Sequence, residues 1–141
     1  MTGKCFIDTN VWIYFFSKDE PVKQKMADDL INQTPKKVIS WQIVNELCDN
    51  LIRKQKRNES FIQIAIDFIC GSCEVVDFNK PLLDAASALR ERHSISFWDS
   101  LIVVAAHSSG CDTLYSEDMQ NGQKFGQVTV RNIFAENGVL P

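Results

Sequence analysis

The sequence predicts an α/β fold, a parallel sheet covered by helices on both faces. Two observations lead there. Short β-branched or aromatic segments alternate with helical ones over about 130 residues, and four apolar segments begin or end on an acid. A third observation is size: 141 residues and 16.0 kDa suit one domain, 1–141, that buries roughly two-thirds of its unfolded surface.

The elements follow in order. A strand is expected at 4–8, because in Cys5-Phe6-Ile7-Asp8-Thr9-Asn10-Val11-Trp12 a carboxylate closes a short β-type run. Thr9-Asn10 reads as a helix-capping pair, so strand, turn and helix succeed one another. Lys37-Val38-Ile39-Ser40 makes a second strand, and Ser40 caps a helix over about 41–53. The next helix, 60–70, is expected to stop at Gly71. Glu74-Val75-Val76-Asp77-Phe78 is a third strand, followed by a helix near 80–93. The helix over 97–109 is apolar almost all round and stops at Gly110. The last strands are expected at 112–115 and 127–130.

Composition excludes several classes. Apolar runs at 11–16 and 101–106 fall far short of the roughly 20 residues that cross a bilayer. Residues 1–4 show no signal-peptide pattern, so a cytoplasmic protein with no membrane partner is expected. Five cysteines, at 5, 48, 70, 73 and 111, fit reduced thiols there. A formal charge of −3 argues against broad electrostatic capture of nucleic acid. One local exception is Arg53-Lys54-Gln55-Lys56-Arg57, four cations in five residues at a helix end. They either complement the helix dipole on a solvated face or form a rim that contacts RNA phosphates.

Of the eighteen acids, most lie in polar stretches. Asp8 ends a strand, where the carboxyl ends of an open parallel sheet form a ligand crevice. Helical spacing sets Glu46 beside Ile43 and Leu47, at the half-buried margin of the core-facing stripe. Asp99 occupies the first turn of an apolar helix, and Asp118, or its neighbour Glu117, follows another strand. If these acids converge they need a cation, since two carboxylates about 5 Å apart repel by on the order of 3 kcal/mol at a dielectric of about 20. All-oxygen ligands select Mg²⁺ or Mn²⁺ over zinc.

Phe6-Ile7-Asp8-Thr9-Asn10, Asn45-Glu46-Leu47, Phe97-Trp98-Asp99-Ser100-Leu101-Ile102 and Tyr115-Ser116-Glu117-Asp118 together resemble the PIN-domain ribonucleases, especially the VapC-type toxins of toxin-antitoxin pairs. The resemblance runs from residue 4 to about 134. It implies a three-layer α/β/α sandwich around a five-stranded parallel sheet, a homodimer and a cognate antitoxin. It also implies a Mg²⁺- or Mn²⁺-dependent endoribonuclease whose catalytic and metal-holding acids are Asp8, Glu46, Asp99 and Asp118, the last favoured over Glu117. Ser116 and Asn10 are supporting candidates that otherwise cap turns. Where relatives close in Asn-Pro-Phe, this chain has Asn132-Ile133-Phe134.

Other readings fare worse. Cys70-Gly71-Ser72-Cys73 straddles a helix end, unlike a redox pair, and lacks a second ligand pair for zinc. A dehalogenase-type phosphatase would need an acid where Asn10 stands, and a receiver domain needs an acid adjoining Asp8. No nucleotide-binding glycine motif occurs, so no nucleotide cofactor is expected. His93 and His107 read as structural. The alternative is a catalytically silent PIN-like binding module, acting through dimer or antitoxin contacts. Part of the aromatic run Trp12, Tyr14, Phe15 and Phe16 would then line the interface.

Overall fold

The structure, a computed structural model, describes residues 3–135; residues 1, 2 and 136–141, counted above within the single domain, lie outside the described residues. In chain order the elements are β1 (Lys4–Ile7), α1 (Thr9–Phe15), α2 (Pro21–Gln33), β2 (Lys37–Ser40), α3 (Trp41–Arg53), α4 (Glu59–Ser72), β3 (Cys73–Val76), α5 (Lys80–Arg92), α6 (Phe97–Ser108), β4 (Cys111–Tyr115), β5 (Lys124–Phe125) and β6 (Val128–Arg131).

The sheet has the order β3-β2-β1-β4-β6-β5. The first five of these run parallel, as the alternation predicts, with Phe6 beside Val38 on one side and Leu114 on the other. The expected count of five needs correction, because β5 adds a sixth, antiparallel strand at the edge. Its cause is a two-residue turn with Gly126 at φ +61°, which brings Phe125 opposite Val128.

Right-handed crossovers put α1 to α4 on one face of the sheet and α5 with α6 on the other. The packing agrees: α1 touches α2 and α3, α3 touches α4, and α6 lies between α5 and strands β2, β4 and β6. That sandwiched place explains the all-round apolar helix, in which Ser100 through Ala106 are buried without a break. No helix among the described residues is long and apolar enough to cross a membrane.

Local chemistry sets the helix ends. Asn58, Asn79 and Ser96 accept backbone N–H bonds and cap α4, α5 and α6. The first helix differs from expectation, since its cap is Asp8, which accepts from the Thr9 N–H, while Thr9 and Asn10 already lie inside the helix. Gly110 does end its helix, at φ +79°, but α4 continues through Gly71 to Ser72, where no left-handed turn occurs.

Strand β1 has β2 on one side and β4 on the other, and the chain reverses its progress across the sheet there. This is the switch point at which an open α/β sheet leaves a crevice outside its carboxyl ends.

Candidate metal and nuclease site

Asp8 stands at that switch point. Its N–H donates to Tyr115 O at 2.9 Å, which locks the end of β1 to β4. The residue is 5 % exposed. Oδ1 accepts from the Thr9 N–H at 2.7 Å and Oδ2 from the Ser116 hydroxyl at 2.7 Å. Burial pushes its pKa up to about 6; the bonds from Ser116 and Thr9 oppose the rise, and the charges of Glu46 and Asp118 add to it.

The other acids arrive from different elements. Glu46, on α3, is exposed rather than half-buried, and its Oε1 accepts from the Thr9 hydroxyl at 2.6 Å. Asp99 lies in the first turn of α6, half-buried, below the Ser96 cap that its N–H bonds at 3.1 Å. Asp118 follows β4. Its Oδ2 accepts from Asn10 Nδ2 at 3.1 Å and its N–H donates to Ser116 Oγ at 3.2 Å. Asp8, Glu46, Asp99 and Asp118 line one cleft of about 300 Å³, and Asn10 lies in its wall.

Glu117 faces elsewhere. Tyr14 OH donates to its Oε1 and Lys23 Nζ to its Oε2, both at 2.7 Å. The hydrogen bond to Glu117 raises the Lys23 pKa. Geometry therefore separates the two adjacent acids that position in the sequence left open.

The donor set suits a hard divalent ion, being carboxylate oxygen throughout. Gln42 and Asn50 lie in the same wall; both amide atoms of Gln42, the donor Nε2 and the acceptor Oε1, and Asn50 Oδ1 are buried without a partner. The orphan acceptors call for water or an ion, and the orphan donor Nε2 calls for water or an anionic oxygen. Among the described residues, no three acid, histidine or cysteine side chains are already gathered around one point. The oxygens of Asp8, Glu46 and Asp118 are instead turned to Thr9, Asn10 and Ser116. Thr9, Gln42 and Asn50 were not found from sequence; the signal for the last two was their spacing of four residues on either side of Glu46, which gives one helical face.

The basic segment divides. Arg53 and Lys54 line the acid cleft, and Arg53 is paired with Asp49 at 2.8 Å. Lys56 and Arg57 lie outside it, in a neighbouring cavity that Lys54 also lines. Neither histidine belongs to the cleft; His93 packs edge-on against Phe125 and both line a separate cavity. Burial pushes the Cys73 thiol up to about 11, the opposite of an activated thiolate. Of the aromatic run, Trp12 is buried and its indole N–H donates to Ile7 O, whereas Phe15 and Phe16 are half-buried and pack on Phe68, with Phe16 also against Phe61.

Comparisons agree with this fold. No curated protein matches the sequence. Solved structures do. A toxin-antitoxin complex from Klebsiella pneumoniae superposes with a TM-score of 0.68 at 15% identity, covering 89% of this chain and 95% of that one. VapC20 of Mycobacterium tuberculosis, described as a Sarcin-Ricin loop cleaving toxin, gives 0.67 at 18% identity over 81% and 91%. DNA-bound VapBC from Salmonella typhimurium gives 0.68 at 16% identity over 94% and 98%. At such identities the likeness is one of fold. The sequence itself matches the PIN domain over residues 5–121, and on that match the chain belongs to the PIN domain family.

Proposed function

We propose that the protein is a Mg²⁺- or Mn²⁺-dependent endoribonuclease, the toxin of a toxin-antitoxin pair, working in the cytoplasm as a single-domain subunit of a homodimer. The observation that carries this reading is a buried carboxylate, Asp8, at the switch point of the sheet, sharing one cleft with Glu46, Asp99 and Asp118. The toxin-antitoxin structures that share the fold support a protein partner. Exposed Phe68, packed on Phe15 and Phe16, together with exposed Ile64 one turn earlier on α4, is the candidate antitoxin surface.

In this reading Asp8 and Asp99 hold the principal ion, and Glu46 and Asp118 complete the site. When bound, the ion lowers the pKa of water and stabilises charge on the phosphate and leaving oxygen. Ser116 and Thr9 fix the Asp8 carboxylate from both sides. Thr9 also fixes Glu46, which orients the attacking water, and Asn10 fixes Asp118.

The test is cleavage of a mixed RNA pool by the purified protein, freed of co-purifying partner, with and without Mg²⁺ or Mn²⁺. Asp8→Asn and Asp99→Asn each lower the rate by more than about a hundredfold, the upper end of losses for groups that merely support a ligand. Full activity in a correctly folded Asp8→Asn protein would overturn the site assignment. Metal binding with no cutting of any RNA would favour the silent binding module.

A further inference from the structure

We infer that the cavity beside the acid cleft is a phosphate subsite for single-stranded RNA, holding nucleotides that flank the cut; this rests on the nuclease reading above. The chain carries −3 overall, yet Lys18, Lys54, Lys56 and Arg57 line one cavity of about 450 Å³ against a single acid, Asp19. Its cations come from two separate segments, the loop after α1 and the turn between α3 and α4.

Arg57 is held in advance. Its guanidinium donates to Phe16 O at 3.0 Å and sits 3.9 Å from the Phe61 ring centroid. A fixed guanidinium fork loses little freedom when it meets a phosphate. The three lysines form no ion pair among the described residues. The turn also holds Lys56 at φ +56°, a left-handed conformation uncommon outside glycine. Such a position costs stability and is maintained where surrounding structure or function requires it.

Continuity with the acids selects the ligand. Lys54 lines both cavities, so a strand whose reacting phosphate lies among the acids meets Lys54 next and the basic cavity after it. Several cations along a track match a chain of phosphates better than one small anion. An acidic peptide following the same track would run onto four carboxylates.

The experiment compares wild type with Lys18→Gln/Lys56→Asn, asparagine being tolerant of the left-handed turn, and with the control Lys80→Gln on α5. Binding of a labelled mixed-sequence single-stranded RNA is measured without metal over a range of KCl concentrations, and kcat and KM are measured with Mn²⁺. The double variant flattens the slope of log affinity against log salt by about 0.7 per lysine. It raises KM by roughly tenfold with little change in kcat. An unchanged slope overturns the subsite. So does an unchanged slope together with lost binding of a polyglutamate peptide, which assigns the cavity to a protein partner. If wild type cuts no RNA, the nuclease reading fails while the salt slope still decides whether the cavity takes phosphates.

Discussion

Glu117 and the four acids of the cleft keep opposite company. Glu117 is met by Tyr14 and Lys23, so its charge is balanced within the protein. Asp8, Glu46, Asp99 and Asp118 form no ion pair among the described residues, and only hydrogen-bond donors face three of them. The first arrangement is structural, because nothing further is needed to neutralise it. In the second, the charge of buried Asp8 is costly until a cation or a proton balances it.

Changing each acid to its amide should therefore have opposite effects. In the folded, metal-free protein the Asp8 pKa is raised to about 6, chiefly by burial, against about 3.9 for an unfolded aspartate. The folded state holds the proton more tightly, so stability from this group is full below about pH 4 and is lost as pH rises through about 6. The loss is about 3 kcal/mol. Urea unfolding of metal-free protein on both sides of that window should show it, and Asp8→Asn should remove it and stabilise the fold at neutral pH. Parallel pH profiles for the two proteins would break the comparison.

Ser116→Ala gives a smaller effect. The hydroxyl serves Asp8 Oδ2 and the Asp118 N–H together, and its loss should weaken Mn²⁺ affinity by roughly 10- to 100-fold. Calorimetric titration reads this directly, and an affinity equal to wild type would remove Ser116 from the site. Smallest is Glu117→Gln, which should destabilise by less than about 1 kcal/mol because the Lys23 pair is partly solvated. Thermal unfolding distinguishes it from Asp8→Asn by sign; a stabilised Glu117→Gln would show that its charge, too, is unbalanced.

Much of this could be read before the structure. The strand 37–40 and the helix 41–53 recur as β2 and α3, and the other expected strands recur within a residue or two. Ile43 and Leu47, read as facing the core, are buried. What escaped had weak local signals. The helix α2 was not marked, because its polar stretch buries only Ala27, Leu30 and Ile31. The strand β5 spans two residues and exists only through its pairing with β6. Gly71 resembled a stop, but a glycine ends a helix only where the chain turns left-handed, and here it passes directly into β3.

The sequence by itself determined the α/β class, the order of the elements other than α2 and β5, and the placing of Asp8 at a strand end and of Asp99 in a first helical turn. Those follow from periodicity and from short-range punctuation by glycine and capping residues, which act over a few neighbours. Only the tertiary structure decided that Glu117 turns to Lys23 while Asp118 enters the cleft, and that the basic segment splits between two cavities. The physical reason is that charge compensation depends on distance through space. Lys23 lies 94 positions from Glu117 in the chain and 2.7 Å from it in the fold.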